Sequence, residues 1–386
     1  KNKIISKGGD IENEDKDENK NNSVNNSEII QSECKILNTD TILFGDGGST
    51  AIIVIRNNNI VYKFFTMYYH DNKLKEFSET FDKLENTMID NEINIYKLLT
   101  KNIMDENISL HYVRYIKDLK CGNADEIFKS CPEKYTEFLS LPLDKKTKLC
   151  STKYRHHPHK KLRSHFRIIE IEYCNYSCVD FIKDVSKLST FEMELYLDIF
   201  FFQIIYTIIV TQEIYPHFAH NDLFMRNILG NREKDIGNYY VYTYKEIKYH
   251  VPQKKYFPKI NDFGYTNLNE KYKTNKLKQK SVIDIYNLIY DVYNGQNLGG
   301  TSLTKLLEGD THKLEFLKKY FNNYFNVDMV NSYKTNSQVN MNNDWNNIDD
   351  DEFRVSIGLK NPEDLMKNYF SKTFSYKGNV GEFKLI

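Results

Sequence analysis

The sequence predicts an α+β protein in two parts, a β-rich first half and a helix-rich second half that meet near residues 172–176. Three observations carry this. β-branched and aromatic residues gather in short runs at 42–65 and 166–173, apolar residues recur at helical spacing over 77–100 and 191–213, and a Pro/His/Asn/Asp segment at 216–227 interrupts the second half. The 386 residues, 40% apolar and 27% charged, suffice for one large core or two modest ones.

Residues 1–36 are mostly Asn, Asp, Glu and Lys, with too little apolar surface to offset the entropy of ordering, so a disordered tail is expected. Two β-rich runs follow over 42–65, with Asn57-Asn58-Asn59 as the turn between them. Ile89, Ile93, Tyr96 and Leu99 fall on one face of a helix within 77–100. Residues 111–116 read as a strand and 117–164 as a polar insert ending in a His- and Lys-rich run, which reads as a solvated basic loop. After the strand at 166–173, the longest apolar helix spans 191–213. Its most apolar part, 195–210, contains Asp198 and Gln203 and would reach about 24 Å, short of the roughly 30 Å hydrocarbon core of a bilayer. A buried helix of a soluble protein is therefore expected. Residues 239–249 read as a hairpin filling an insert at 232–256, 331–351 as a mobile low-complexity loop, and a helical pattern resumes at Pro362. The division expected is 37–172 for the first lobe and 173–386 for the second.

Fifty-three Lys+Arg balance 53 Asp+Glu, so no global field draws the chain to nucleic acid or an anionic membrane. No membrane partner is expected, and nucleic-acid contact is expected only of the basic run 153–165, if anywhere. Six scattered cysteines lack the paired spacings of a zinc site and read as reduced thiols, and no charged-then-apolar leader opens the sequence. A cytoplasmic location follows as the expectation. Asn fills roughly one position in nine, a usage that fits an AT-rich genome.

The chemistry gathers in two segments, His220-Asn221-Asp222-Leu223-Phe224-Met225-Arg226-Asn227 and Ile260-Asn261-Asp262-Phe263-Gly264. Phosphoryl transfer needs one carboxylate to orient an attacking hydroxyl, a second to hold magnesium, and an amide oxygen to complete a hard-oxygen shell. Asp222, Asp262 and Asn227 suit those roles. These segments resemble the H-x-D-L-x-x-x-N loop and D-F-G of the protein kinase superfamily, in family order. Upstream, Gly45-Asp46-Gly47-Gly48-Ser49-Thr50-Ala51-Ile52 is similar to the family's glycine-rich loop, with Thr50 at its third glycine and Ile52 at its valine. Val61-Tyr62-Lys63 resembles the strand that carries the phosphate-pairing lysine, and Asn91-Glu92-Ile93 the helix that supplies its glutamate, with Glu85 as a competitor. Ile171, Glu172 and Cys174 lie in a hinge-like strand, Ile171 as gatekeeper and the other two as backbone contacts for adenine. Asp284 resembles the aspartate that braces the catalytic loop, and Asn361-Pro362 the opening of the closing helix.

The resemblance covers about residues 40–375 and implies a bilobal protein-kinase-like fold with a β-rich N-lobe and a helical C-lobe, using ATP and Mg2+. It implies catalytic roles for Asp222, Arg226, Lys63 and Glu92, nucleotide contacts from Gly45, Gly47, Gly48, Ile52, Val61, Lys63, Ile171, Glu172 and Cys174, and metal ligation by Asn227 and Asp262. Asn221 replaces the usual arginine after the histidine, so an activating phosphate would find no partner there. Phe224 stands where serine/threonine kinases place lysine, and Arg226 offers a cation instead. The stretch from Asp262 to Asp284 is short and lacks A-P-E, which leaves the substrate less defined than the chemistry. H-N-D-L, the Tyr-rich hairpin and the short segment together resemble the divergent serine/threonine-protein kinases of giant DNA viruses, for which host cytoplasm or virion would be the location. The reaction implied is transfer of the ATP γ-phosphoryl group to a protein hydroxyl. Alternatives are a pseudokinase that binds nucleotide as a scaffold and a small-molecule kinase of the aminoglycoside or choline type. The sequence leaves the protein substrate and the oligomeric state open.

Overall fold

The computed structural model describes residues 42–44, 51–56, 60–66, 89–121, 166–232, 238–268, 280–295, 301–328 and 358–374. The tail 1–36, Gly45, Gly47, Gly48, Thr50, Glu85, the basic run 153–165 and the loop 331–351 lie outside these residues.

Helix and sheet are mixed, an α+β arrangement. Strands β1 (Ile42–Phe44), β2 (Ala51–Arg56), β3 (Ile60–Thr66), β4 (Tyr115–Cys121) and β5 (Phe166–Glu172) form an antiparallel sheet in the order β1-β2-β3-β5-β4. The helix α1, described over 89–99, enters between β3 and β4 and continues as a π-helical turn, Thr100–Met104. Its Ile93, Tyr96 and Leu99 are buried, as the spacing requires.

The strand expected at 111–116 is displaced. Pairing of β4 starts at Tyr115, opposite Ile171, and runs to Cys121, so 117–121 is strand rather than insert. His111, Tyr112 and Val113 are buried for another reason. They form a seam with the far end of β10 (Tyr256–Ile260), in which Ile260 N–H donates to His111 O (2.8 Å) and Val113 N–H to Ile260 O (3.0 Å).

After the short β6 (Tyr176–Ser177) and α2 (Cys178–Val185), the chain forms α3 (Thr190–Ile214). A reciprocal capping box starts α3: Glu192 N–H donates to Ser189 Oγ, and Ser189 N–H donates to the Glu192 carboxylate. By length and composition α3 is able to cross a membrane, yet 83% of its most apolar stretch is buried inside the protein. Its inward-facing carboxylate, Asp198, accepts hydrogen bonds from the hydroxyls of Tyr320 (2.8 Å), Tyr324 (3.3 Å) and Tyr369 (2.9 Å). Those tyrosines belong to α6 (Thr311–Phe321), the turn after it and the closing π-helical run Leu365–Phe370, so a buried charge is placed only where three donors meet it.

The remaining strands support the irregular segments. β7 (Ile228–Arg232) lies between β10 and β6, and β8 (Tyr239–Tyr244) pairs with β9 (Ile247–Pro252) as a hairpin turning at Lys245, whose φ is +53°. Gly230 of β7 permits close approach of β10, because an added Cβ would stand 2.3 Å from the Tyr256 ring. Helices α4 (Lys280–Asn294) and α5 (Leu303–Leu306) complete the described core before α6.

Candidate active site

Strand alternation puts Val61, Lys63 and Phe65 on one face of β3. Lys63 is 6% exposed, and its ammonium donates to Glu92 Oε1 at 2.6 Å and to Asp262 Oδ1 at 2.9 Å. Three residues far apart in sequence thus converge from a strand, a helix and the loop after β10. Burial alone would push Lys63 down, but the charges of Asp262 and Glu92 hold it above the ordinary lysine range. Burial pushes Glu92 up from the usual carboxylate range against the pull of Lys63. Asp262 is held below its ordinary value, chiefly by the Lys63 charge. Its side chain stays 40% exposed, so this carboxylate is bound on one side and open on the other.

Asp262 and Asn221 both have left-handed backbones, with φ of +65° and +63°. Asp and Asn tolerate this region better than other side-chain-bearing residues, which explains the local sequence. The catalytic-loop candidate is otherwise fastened from below. His220 N–H donates to Asp284 Oδ2 (2.6 Å) and Met225 N–H to Asp291 Oδ2 (3.0 Å), two buried carboxylates seven residues apart on α4. Asp284 was expected there. Asp291 was not, and its signal was the seven-residue spacing of acids in an apolar helix.

Asp222 is flanked by two expected partners. Asn227 Nδ2 donates to its carboxylate and to its backbone oxygen, both at 2.7 Å, and Arg226 pairs with the other carboxylate oxygen while lying over the Phe224 ring. Burial raises the Asp222 carboxyl, with Arg226 and Asn227 opposing. The charge of Asp262 raises it further, as two carboxylates facing a common space would.

The two carboxylates and the Asn227 amide oxygen are hard donors. Among the described residues no group of three or more His, Cys, Asp or Glu is gathered for a metal. Hard oxygen donors of this kind suit a magnesium ion, which is ordinarily held by one or two carboxylates together with substrate phosphates.

Val61 and Ile171 are aligned across β3 and β5. Glu172 donates its N–H to Arg114 O (2.9 Å), and its carboxylate accepts from Lys259 (2.7 Å) and Asn231 (3.1 Å), so its N–H and side chain are already engaged within the protein. Cys174 is a free, partly buried thiol, pushed up to about 12 by burial. In the register, Ile52 pairs with Phe64, and Ile53 and Ile55 pair with Lys63 and Val61.

Tyr96 was read only as a core position of α1. Its hydroxyl donates to Asn261 Oδ1 (2.5 Å) and accepts from Asp262 N–H (3.2 Å), and its ring meets buried Phe263 edge-on at 4.7 Å. Asn91, one turn earlier, donates to Thr266 O (3.1 Å), and Asn221 donates to Tyr265 O (2.8 Å).

The chain is 28% identical over 295 residues to a protein of Acanthamoeba polyphaga mimivirus named putative serine/threonine-protein kinase R301, covering 64% of this chain and 69% of that protein. This likeness supports a distant kinase-like relationship. No family model matches the chain.

Proposed function

We propose that the protein is an ATP- and magnesium-dependent phosphotransferase, a serine/threonine protein kinase with a bilobal kinase-like fold. The observation that carries this reading is Lys63 held between Glu92 and Asp262, beside a second carboxylate at Asp222. The name of the mimivirus relative agrees with it. In this reading Lys63 holds nucleotide phosphate oxygens, and Glu92 keeps the ammonium charged and aimed. Asp262 and Asn227 would hold magnesium, which neutralises charge on the phosphates. Asp222 orients the acceptor hydroxyl and takes its proton late, with Arg226 beside it as the cation nearest the transferred group. Positioning and charge neutralisation then supply most of the catalysis.

The test is radiolabel transfer from ATP to a mixture of casein-like proteins. Asp222→Asn is expected to lower transfer by 100-fold or more, on the order found when a positioned acid–base group is removed. Lys63→Met is expected to abolish the thermal stabilisation given by ATP with magnesium. Transfer by Asp222→Asn at the wild-type rate would remove Asp222 from the reaction. Nucleotide stabilisation without transfer would instead favour a binding scaffold.

A further inference from the structure

We infer that Tyr96 is a positioning residue for Asp262, tying the placement of α1 to the geometry of the metal-binding carboxylate. This rests on the phosphotransfer reading. Tyr96 stands one helical turn after Glu92, so one rigid element supplies both the carboxylate that meets Lys63 and the phenol that meets the loop. The hydroxyl satisfies two groups at once, the Asn261 amide oxygen and the Asp262 N–H, at the residue whose backbone is left-handed. A left-handed aspartate keeps its side-chain direction only while its neighbours determine its backbone. Of those neighbours, Asn261 is further tied by its N–H to Asn227 O (2.9 Å) and by its carbonyl to His220 Nε2 (3.0 Å). Asn91 and Glu92 also tie α1 to this segment, through Thr266 O and through Lys63, but Tyr96 reaches the Asp262 backbone itself. Removing its hydroxyl leaves the ring packed on Phe263 but frees Asp262 to turn, and loss of such an outer partner commonly weakens a metal site about 10- to 100-fold.

The matched comparison is Tyr112, which is also fully buried and edge-on to Phe263 (5.8 Å), but whose hydroxyl bonds Thr211 Oγ1 (2.8 Å) instead of the loop. The experiment titrates magnesium into the full chain with saturating ATP and reads the rise in Tm, with ATP plus chelator as the baseline. Tyr96→Phe is expected to need about tenfold or more magnesium for half of the rise, and Tyr112→Phe to keep the wild-type requirement. An unchanged requirement in Tyr96→Phe, or an equal change in both variants, overturns the assignment and leaves the phosphotransfer reading standing. A wild-type chain whose ATP response ignores magnesium overturns both. If Tyr96→Phe does not fold, Tyr96→His and Asn261→Ala, which removes one of the two hydroxyl contacts from the loop side, are each expected to raise the magnesium requirement, the second by less; a wild-type requirement in both overturns the assignment.

Discussion

At Asp222, burial raises the carboxyl while the Arg226 charge and the Asn227 amide oppose it. The balance has a measurable consequence for the proposed proton acceptor, which must be ionised to work. Removing Arg226 leaves burial less opposed, so the carboxyl titrates at higher pH and the acid limb of the rate profile moves up. Arg226→Ala is expected to show that displacement and Arg226→Lys to reverse part of it. A limb that stays in place in Arg226→Ala would separate Arg226 from the ionisation of Asp222. Most residues of this site were legible because their chemistry is tied to fixed spacings, Asp222 to Asn227 and Asp262 to Gly264. Tyr96 was not, because an aromatic at helical spacing looks the same whether its hydroxyl is idle or engaged.

Among the elements, β7 and β10 show how closely strands must approach to hold the loops at their ends. Asn227 directly precedes β7, and Asp262 follows β10 by two residues. Gly230→Ala would drive a methyl group into the Tyr256 ring and the Phe257 carbonyl. Overpacking of this kind costs about 1–3 kcal/mol. The expected result is a lower urea midpoint with an unchanged denaturant slope; an unchanged midpoint would mean the strands move apart freely. Element positions were legible where a local signal and burial agree. The helix read at 191–213 is found at Thr190–Ile214, because Ser189 and Glu192 start it and an apolar surface on all sides buries it. The strand read at 111–116 lies later, at Tyr115–Cys121, because the apolar residues 111–113 answer a tertiary demand, the seam with β10, which no local pattern announces.

For the whole molecule, four buried titratable groups, His111, His220, Asp198 and Glu92, set opposing pH dependences. His111 gives its Nδ1–H to Pro258 O and accepts at Nε2 from the Tyr242 hydroxyl, and burial pushes it down to about 3. Burial likewise pushes His220 down to about 4. Both are neutral in the fold and take up protons near 6.5 when unfolded, so stability falls as pH drops from 6.5 toward those values. Asp198 works the other way. Burial raises it to about 7, and the fold therefore binds a proton that the unfolded chain has released, favouring the fold as pH falls from 7 to 4. Each group contributes at most about 1.4 kcal/mol per pH unit. Glu92, which burial raises to about 7, acts in the same direction as Asp198, so between pH 6.5 and 4.5 the two histidines and the two carboxyls largely offset one another. Asp198→Asn should make stability fall more with decreasing pH than in the wild type, and His111→Gln should make it rise relative to the wild type, both read by urea unfolding across that range. Equal slopes in all three chains would count against these protonation states.

The seam between residues 111–113 and Ile260 has a mechanical side. It fastens the chain entering the five-stranded sheet to a point two residues short of Asp262. The entry to the sheet and the loop that carries Asp262 thus share one main-chain anchor, and the Lys63–Asp262 pair closes the same circuit from the sheet side.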